Sequence, residues 1–116
     1  MIDNPPVNRG IHAALVLPLG EDDAIDEAAY ARQLDHVLAA PGITGLLVNG
    51  HAGENALTSD AEKVRIVELT RARVPAHLSV TSGVMAESST HAARQAAALA
   101  AAGADALLVF PPFSWA

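Results

Sequence analysis

The stretch Gly45-Leu46-Leu47-Val48-Asn49-Gly50-His51-Ala52-Gly53-Glu54 decides the fold. Its first four residues are an apolar run, too short for a helix and suited to a buried strand. Gly50 and Gly53 then frame His51 and Ala52, and the Glu54 carboxylate stands behind them. Two residues later, Leu57-Thr58-Ser59-Asp60-Ala61-Glu62 reads as the start of a helix. Ser59 and Glu62 have capping-box spacing, with Ser59 as N-cap, whereas Thr58 lies four residues from Glu62 and misses it. Strand, turn and capped helix follow one another in this way where α/β proteins place chemistry at the C-terminal end of a parallel strand.

Three other β-like runs lie outside this stretch: Ala13–Leu17, Ala76–Val80 and Ala106–Phe110. All but the Ala76–Val80 run are continuously apolar, as expected of parallel strands buried on both faces. His77 and Ser79 interrupt that one and predict a more polar face. Three helical segments separate the runs. The first is expected over Glu27 to Ala39, with Leu34, Val37 and Leu38 inward and Pro41-Gly42 as its stop. The second follows Ser59, with Val64, Ile66, Val67 and Leu69 as apolar surface before Pro75. The third is expected over Ser89 to Ala102, where Ala92, Ala93, Ala96, Ala97 and Ala100 permit close packing and Gly103 caps the end.

The order is β-α-β-α-β-α-β, and strand centres near Leu15, Leu46, Leu78 and Leu107 recur after 31, 32 and 29 residues. That period is one βα unit, and such alternation implies parallel strands with right-handed crossovers. The expected fold class is α/β: a parallel (β/α) TIM-barrel fragment holding about the first four strands and three helices. Residues 1–9 are expected to be a flexible lead-in, and residues 10–116 one N-terminal part of a barrel. The chain stops at Phe110-Pro111-Pro112-Phe113-Ser114-Trp115-Ala116, where a fourth βα loop is expected. Open sheet edges favour part of a barrel over a finished open sheet. A complete flavodoxin-type domain is disfavoured, because no phosphate-binding glycine pattern is present.

Composition narrows the class of function. Hydrophobic residues make up 51% and aromatics 3%, so the apolar mass is mostly Ala, Leu and Val, as for helices on buried strands. A net charge of -6 with seven scattered basic residues argues against nucleic acid. The absence of cysteine removes disulfides and thiolate metal sites. No apolar stretch approaches the roughly 20 residues of a membrane helix, and the first residues do not resemble a signal peptide. A cytoplasmic location is the expectation. His36, His77 and His91 lack metal-ligand spacing, and Glu21-Asp22-Asp23 lacks that of a calcium loop, so no metal and no cofactor are expected.

The turn Gly50-His51-Ala52-Gly53-Glu54 resembles the Gly-Thr-Thr-Gly-Glu or Gly-Ser-Thr-Gly-Glu loop of the dihydrodipicolinate synthase / N-acetylneuraminate lyase family. Leu57-Thr58 with Glu62 is similar to the segment that follows that loop. Gly10 to Pro18 resembles the family's first strand. Ala102-Gly103-Ala104-Asp105-Ala106-Leu107-Leu108-Val109 with Pro111-Pro112 resembles its fourth strand and exit loop. The resemblance covers nearly everything from Gly10 onward, in order. It implies a barrel of about eight βα units and class I aldolase or lyase chemistry, in which a lysine on a later strand forms a Schiff base with pyruvate or another 2-oxo acid. It further implies that the loop after the second strand holds the substrate carboxylate, and that the full-length protein is a homo-oligomer.

The chain departs from the family at informative places. His51 and Ala52 stand where the family has two hydroxyl residues, so backbone N–H donors remain and the His51 ring could replace one hydroxyl. Pro112-Phe113-Ser114 stands where the synthase branch has Pro-Tyr-Tyr, so the relay tyrosine is missing. This counts against the synthase proper and favours another member with an unassigned substrate. Lys63 is the only lysine and falls in the second helix, where it reads as a solvated residue, so the Schiff-base lysine is expected beyond Ala116.

The candidate substrate-binding residues are Gly50, His51, Ala52 and Ser114. For His51 the plainer alternative is a turn histidine bonded to backbone. Glu54 is expected to orient the loop or cap the next segment. Thr81 and Ser82 are expected to follow a strand, facing the barrel mouth or making a turn, and His12 to pack or meet solvent at the strand end away from the site. A different functional class also fits: a non-catalytic half-barrel that binds or supports and self-associates through its edges.

Overall fold

Strands and helices alternate along the chain in the computed structural model, which describes residues 9–115. The elements are β1 (Ile11–Ala14), α1 (Glu27–Leu38), β2 (Ile43–Val48), α2 (Asp60–Arg73), β3 (Ser79–Val84), α3 (Ser89–Ala102) and β4 (Ala106–Val109), followed by a 3-10 turn over Phe113–Trp115. All strand pairs are parallel and the sheet order is β1-β2-β3-β4. This is the expected α/β architecture. Most of the expected lead-in lies outside the described residues.

The register sorts the side chains into two faces. Ala14, Leu47, Thr81 and Ala106 stand opposite one another across the sheet. Alternate residues point to opposite faces, so Leu46, Val48, Val80 and Val84 share the other face, where all four are at most 1% exposed. They form one core with Tyr30 and Leu34 of α1, Ile66 and Val67 of α2 and Leu99 of α3. Full burial of each such side chain stabilises the fold by about 1.5–3 kcal/mol. Leu107 and Val109 of β4 are in register with Ser82 and Val84 but are 37% and 63% exposed. No described helix covers β4.

Local sequence explains the helix ends. Asp26 accepts the Ala29 N–H to start α1, Ser88 accepts the His91 N–H to start α3, and Ser59 and Glu62 form the expected capping box of α2. Gly103 ends α3 at a φ of 122, a conformation that L side chains rarely adopt. The inner face of α3 carries Ala92, Gln95, Ala96 and Leu99 at helical spacing, while Ala93, Ala97 and Ala100 point to solvent, contrary to the expectation for those three alanines. Tyr30, absent from the expected inner face of α1, is 1% exposed beside Leu34.

Two strands differ from expectation. The segment 76–78 is a turn closed by Leu78 N–H donating to the Pro75 carbonyl, and β3 starts only at Ser79. Thr81, Ser82 and Gly83 therefore lie inside β3 and not after it. Ser82 tolerates full burial there because it receives a hydrogen bond from Asn49. At the other site, the apolar run Leu15–Leu17 continues beyond the paired part of β1. The Gln33 amide replaces a neighbouring strand: its Oε1 accepts Val16 N–H at 3.0 Å and its Nε2 donates to the Val16 carbonyl at 2.9 Å.

Candidate functional site

The loop that leaves β2 begins with Asn49 in the left-handed region at φ 55, which Asn adopts more readily than most residues. Asn49 is 1% exposed, and its Nδ2 donates both to the Lys63 carbonyl at 3.0 Å and to Ser82 Oγ at 2.9 Å. It thereby ties the loop root to α2 and β3. Gly83 makes the crossing possible. A Cβ there would lie in the Asn49 carbonyl group and 2.9 Å from the Phe110 ring.

Beyond Asn49 the chain coils on itself. The Gly50 carbonyl accepts the N–H groups of Gly53 and Asn55, and the His51 carbonyl accepts Glu54 N–H. Among the described residues, the N–H groups of His51 and Ala52 have no acceptor, and both residues are exposed. Two successive N–H groups are thus left without an acceptor in a turn at a strand's C-terminal end. Glu54 shapes this loop through its backbone, with φ 58 and a carbonyl that accepts from Leu57 and Thr58. Its carboxylate makes no hydrogen bond among the described residues and caps nothing.

Lys63 overturns its sequence reading as a solvated residue. It is 2% exposed, and its ammonium donates to the Asn55 carbonyl at 2.8 Å, the Thr58 carbonyl at 2.6 Å and Thr58 Oγ1 at 2.9 Å. The amine turns inward to satisfy loop carbonyls that nothing else reaches. Burial lowers its pKa, and the Asp60 and Glu62 charges partly oppose this. Periodicity held a missed clue: Lys63, Ile66, Val67 and Thr70 share one helical stripe.

His51 and Ser114 follow different strands, β2 and β4, and are held differently. The His51 ring lies 4.3 Å from the Phe110 ring and 6.5 Å from that of Phe113. Its Nδ1 is 3.1 Å from Asn55 Oδ1, so the reading of a turn histidine bonded to backbone does not hold. The Ser114 hydroxyl instead donates to Glu87 Oε2 at 2.6 Å, and Phe113 N–H donates to Glu87 Oε1 at 2.7 Å. The Ser114 hydroxyl and the Phe113 N–H hold the Glu87 carboxyl below its ordinary pKa. Ser114 is thus committed to the loop after β3. His12 has its Nε2 3.2 Å from the Arg9 carbonyl, at the far end of β1.

Outside this turn, a cleft of about 260 Å³ opens between the loops after β2 and β3. His91 Nε2 reaches Asp60 Oδ2 there at 2.6 Å, and Gln95 Nε2 donates to Asp60 Oδ1 at 2.8 Å. Burial raises the Asp60 pKa, but the His91 and Gln95 bonds outweigh it and the net direction is down. No helix among the described residues is long and apolar enough to cross a membrane.

Comparison with known proteins agrees with this fold. The chain matches the Dihydrodipicolinate synthetase family over residues 7–116. It is 37% identical over 113 residues to a 4-hydroxy-tetrahydrodipicolinate synthase of Bifidobacterium longum, covering 97% of this chain and 36% of that protein. The chain thus spans about a third of the length of the curated relatives it matches. Among solved structures, the 4-hydroxy-tetrahydrodipicolinate synthase of Methylacidiphilum fumariolicum SolV superposes with a TM-score of 0.82 at 26% identity, over 90% of this chain and 34% of that one. The N-acetylneuraminate lyase of Fusobacterium nucleatum superposes with a TM-score of 0.83 at 25% identity, over 92% and 37%. The sheet order, the loop after β2 and these matches lead to one conclusion: the chain belongs to the dihydrodipicolinate synthetase family, and its fold corresponds to the N-terminal part of that family's barrel.

Proposed function

We propose that the turn Gly50–Gly53 grips the carboxylate of a 2-oxo acid such as pyruvate, as the substrate-binding part of a Schiff-base aldolase or lyase. The observation that carries this reading is the pair of unengaged N–H groups on His51 and Ala52, at the C-terminal end of a central parallel strand. Gly50 supplies the tight coil, Ala52 a backbone donor and His51 a donor ring. Ser114 stands at the margin of this site, held by Glu87, and bears on it through its neighbour Phe113. The reactive lysine belongs to a part of the protein beyond residues 1–116, because the amine of Lys63 is committed to three acceptors inside the loop. The imine formed there serves as the electron sink, so a carbon–carbon or carbon–oxygen bond next to it can be made or broken. A cytoplasmic homo-oligomer is the proposed context.

The test is reductive trapping. A protein carrying residues 1–116 with the remaining barrel strands is incubated with pyruvate and borohydride. A covalent mass gain on a lysine outside residues 1–116 is the expected result, with Lys63 unmodified. No gain overturns the aldolase reading.

A second reading, a self-associating half-barrel without catalysis, is favoured by Leu107, Leu108 and Val109, which are 37%, 41% and 63% exposed on an edge strand. Sedimentation of the 116-residue chain separates the two. A cooperatively folded dimer supports self-association, and an aggregated or molten chain opposes it.

A further inference from the structure

His51 stands where it has to act through one ring nitrogen. Its Nδ1 faces the Asn55 side chain at 3.1 Å, and its ring plane is set by Phe110, 4.3 Å away and tilted by 44°. A hydrogen bond at one edge and an aromatic contact on the ring leave little rotational freedom. Among the described residues, Nε2 has no hydrogen bond and His51 is exposed, so Nε2 is the nitrogen open to a ligand.

What Nε2 offers depends on Asn55. A neutral imidazole carries one proton, and the partner of Nδ1 decides which nitrogen holds it. Asn55 is 3% exposed, and with its Oδ1 toward His51 its Nδ2 is buried with no acceptor. The two ends of an amide have the same shape, so the 3.1 Å contact fits either orientation. Orphaned buried N–H groups are rarer than under-satisfied carbonyl oxygens. Turning Nδ2 to His51 gives that N–H an acceptor and leaves a carbonyl oxygen in its place. His51 Nδ1 then accepts, and the ring proton sits on Nε2.

We infer that Asn55 is a positioning residue that holds His51 as the Nε2–H tautomer, and that this N–H donates to the 2-oxo acid carboxylate beside the backbone N–H groups of His51 and Ala52. The inference rests on the proposed function of the turn. A neutral donor in that place supplies the third hydrogen bond without a hydroxyl. An Nδ1–H tautomer would instead turn a lone pair toward the carboxylate and repel it. Asn55 thereby sets which ligands the turn accepts: anions with the donor ring, and donors with the opposite tautomer.

The experiment is nitrogen-15 NMR of the 116-residue chain labelled at histidine and backbone, above the titration range of histidine, with pyruvate as the probe. The expected result is a pyridine-type Nδ1 and a pyrrole-type Nε2 on His51, with the Nε2 signal moved by pyruvate. Asn55→Asp places an acceptor-only carboxylate at Nδ1, and is expected to convert His51 to the Nδ1–H form and to weaken pyruvate binding at least tenfold. The wild-type spectrum decides the matter even if that variant fails to fold. A wild-type ring protonated on Nδ1 overturns the inference. An Nε2–H ring that ignores pyruvate, while the amide signals of Ala52 and Gly53 move, overturns the donor role of His51 and leaves the proposed function standing. Silence at every loop signal overturns both for this chain.

Discussion

The Lys63 ammonium lies 2.6 Å from the Thr58 carbonyl oxygen and 2.8 Å from that of Asn55, so a helical side chain holds the loop that leaves the neighbouring strand. No carboxylate shares the bond. The amine is solvated by main-chain oxygens, and the loop residues 55–58 wrap over it. Asn49 completes the arrangement by donating to the Lys63 carbonyl at 3.0 Å. Both ends of Lys63, backbone and amine, are therefore bonded to the turn that bears His51.

Replacing Lys63 by Met keeps an unbranched side chain, one atom shorter, and removes the donor. Two loop carbonyls then lose their partner, at about 1–3 kcal/mol for each one left buried. The relief of a buried ammonium offsets part of this. A net loss of roughly 2 kcal/mol in urea unfolding is expected, together with faster amide exchange at Leu57 and Thr58. Unchanged exchange in the loop would show that Lys63 does not hold it.

Tyr30 gives the fold an alkaline limit. Thr70 Oγ1 donates its one proton to the Ile66 carbonyl at 2.6 Å, so in the 2.8 Å contact with Tyr30 the phenol is the donor. Burial pushes the Tyr30 pKa up to about 12. Below pH 10 both folded and unfolded chains hold the proton and stability is unaffected. Between pH 10 and 12 the unfolded chain loses it first, so stability falls as pH rises, by roughly 3 kcal/mol in total. Lys63 acts in the opposite direction: its lowered pKa makes the unfolded chain hold the extra proton, and stability recovers as pH climbs toward 10.5. The difference between wild type and Tyr30→Phe isolates the tyrosine. The Phe variant is expected to be about 1 kcal/mol weaker at pH 8 and to lose the downward slope above pH 10, as read by chemical denaturation.

Gly83 is a packing requirement and not a turn. Gly83→Ala puts a methyl group into the Asn49 carbonyl, where backbone cannot yield cheaply. Destabilisation of about 2 kcal/mol or more is expected, with shifted amide signals at Gly50 and His51. A variant as stable as wild type, with an unmoved loop, would mean that the strand and loop do not approach this closely.

Glu87 joins the exits of β3 and β4, because its carboxylate accepts from Phe113 N–H and the Ser114 hydroxyl. Glu87→Ala is expected to leave the core intact and to speed amide exchange at Phe113 by tenfold or more. With Phe113 released, the His51 ring signals are expected to broaden. The pKa of Glu87 is held low by these donors, so its anchoring is present at neutral pH and is lost as pH falls through that lowered value. The same loosening is therefore expected in the wild type on acidification.

Much of this molecule is legible one residue after another. The capping box of Ser59 and Glu62, the stop at Gly103 and the apolar runs of β2 and β4 depend on local backbone chemistry and short-range periodicity, and these repeat wherever the same residues recur. They determine the alternation of strand and helix, and that alternation determines a parallel sheet. The turn around His51 was legible as a turn for the same reason, since two glycines at a strand end mark it. Tertiary structure decided what the polar residues do. Lys63 reads as solvated on a helix until a loop eight residues back offers it carbonyls. Ser114 reads as a ligand group until Glu87 arrives from the loop after β3. Ser82 reads as a residue beyond its strand until Asn49 arrives over the open Gly83 face and its bond lets Ser82 be buried. Hydrogen-bond partners far apart in sequence are brought together only when the sheet closes its register, and a buried polar group takes its role from its partner.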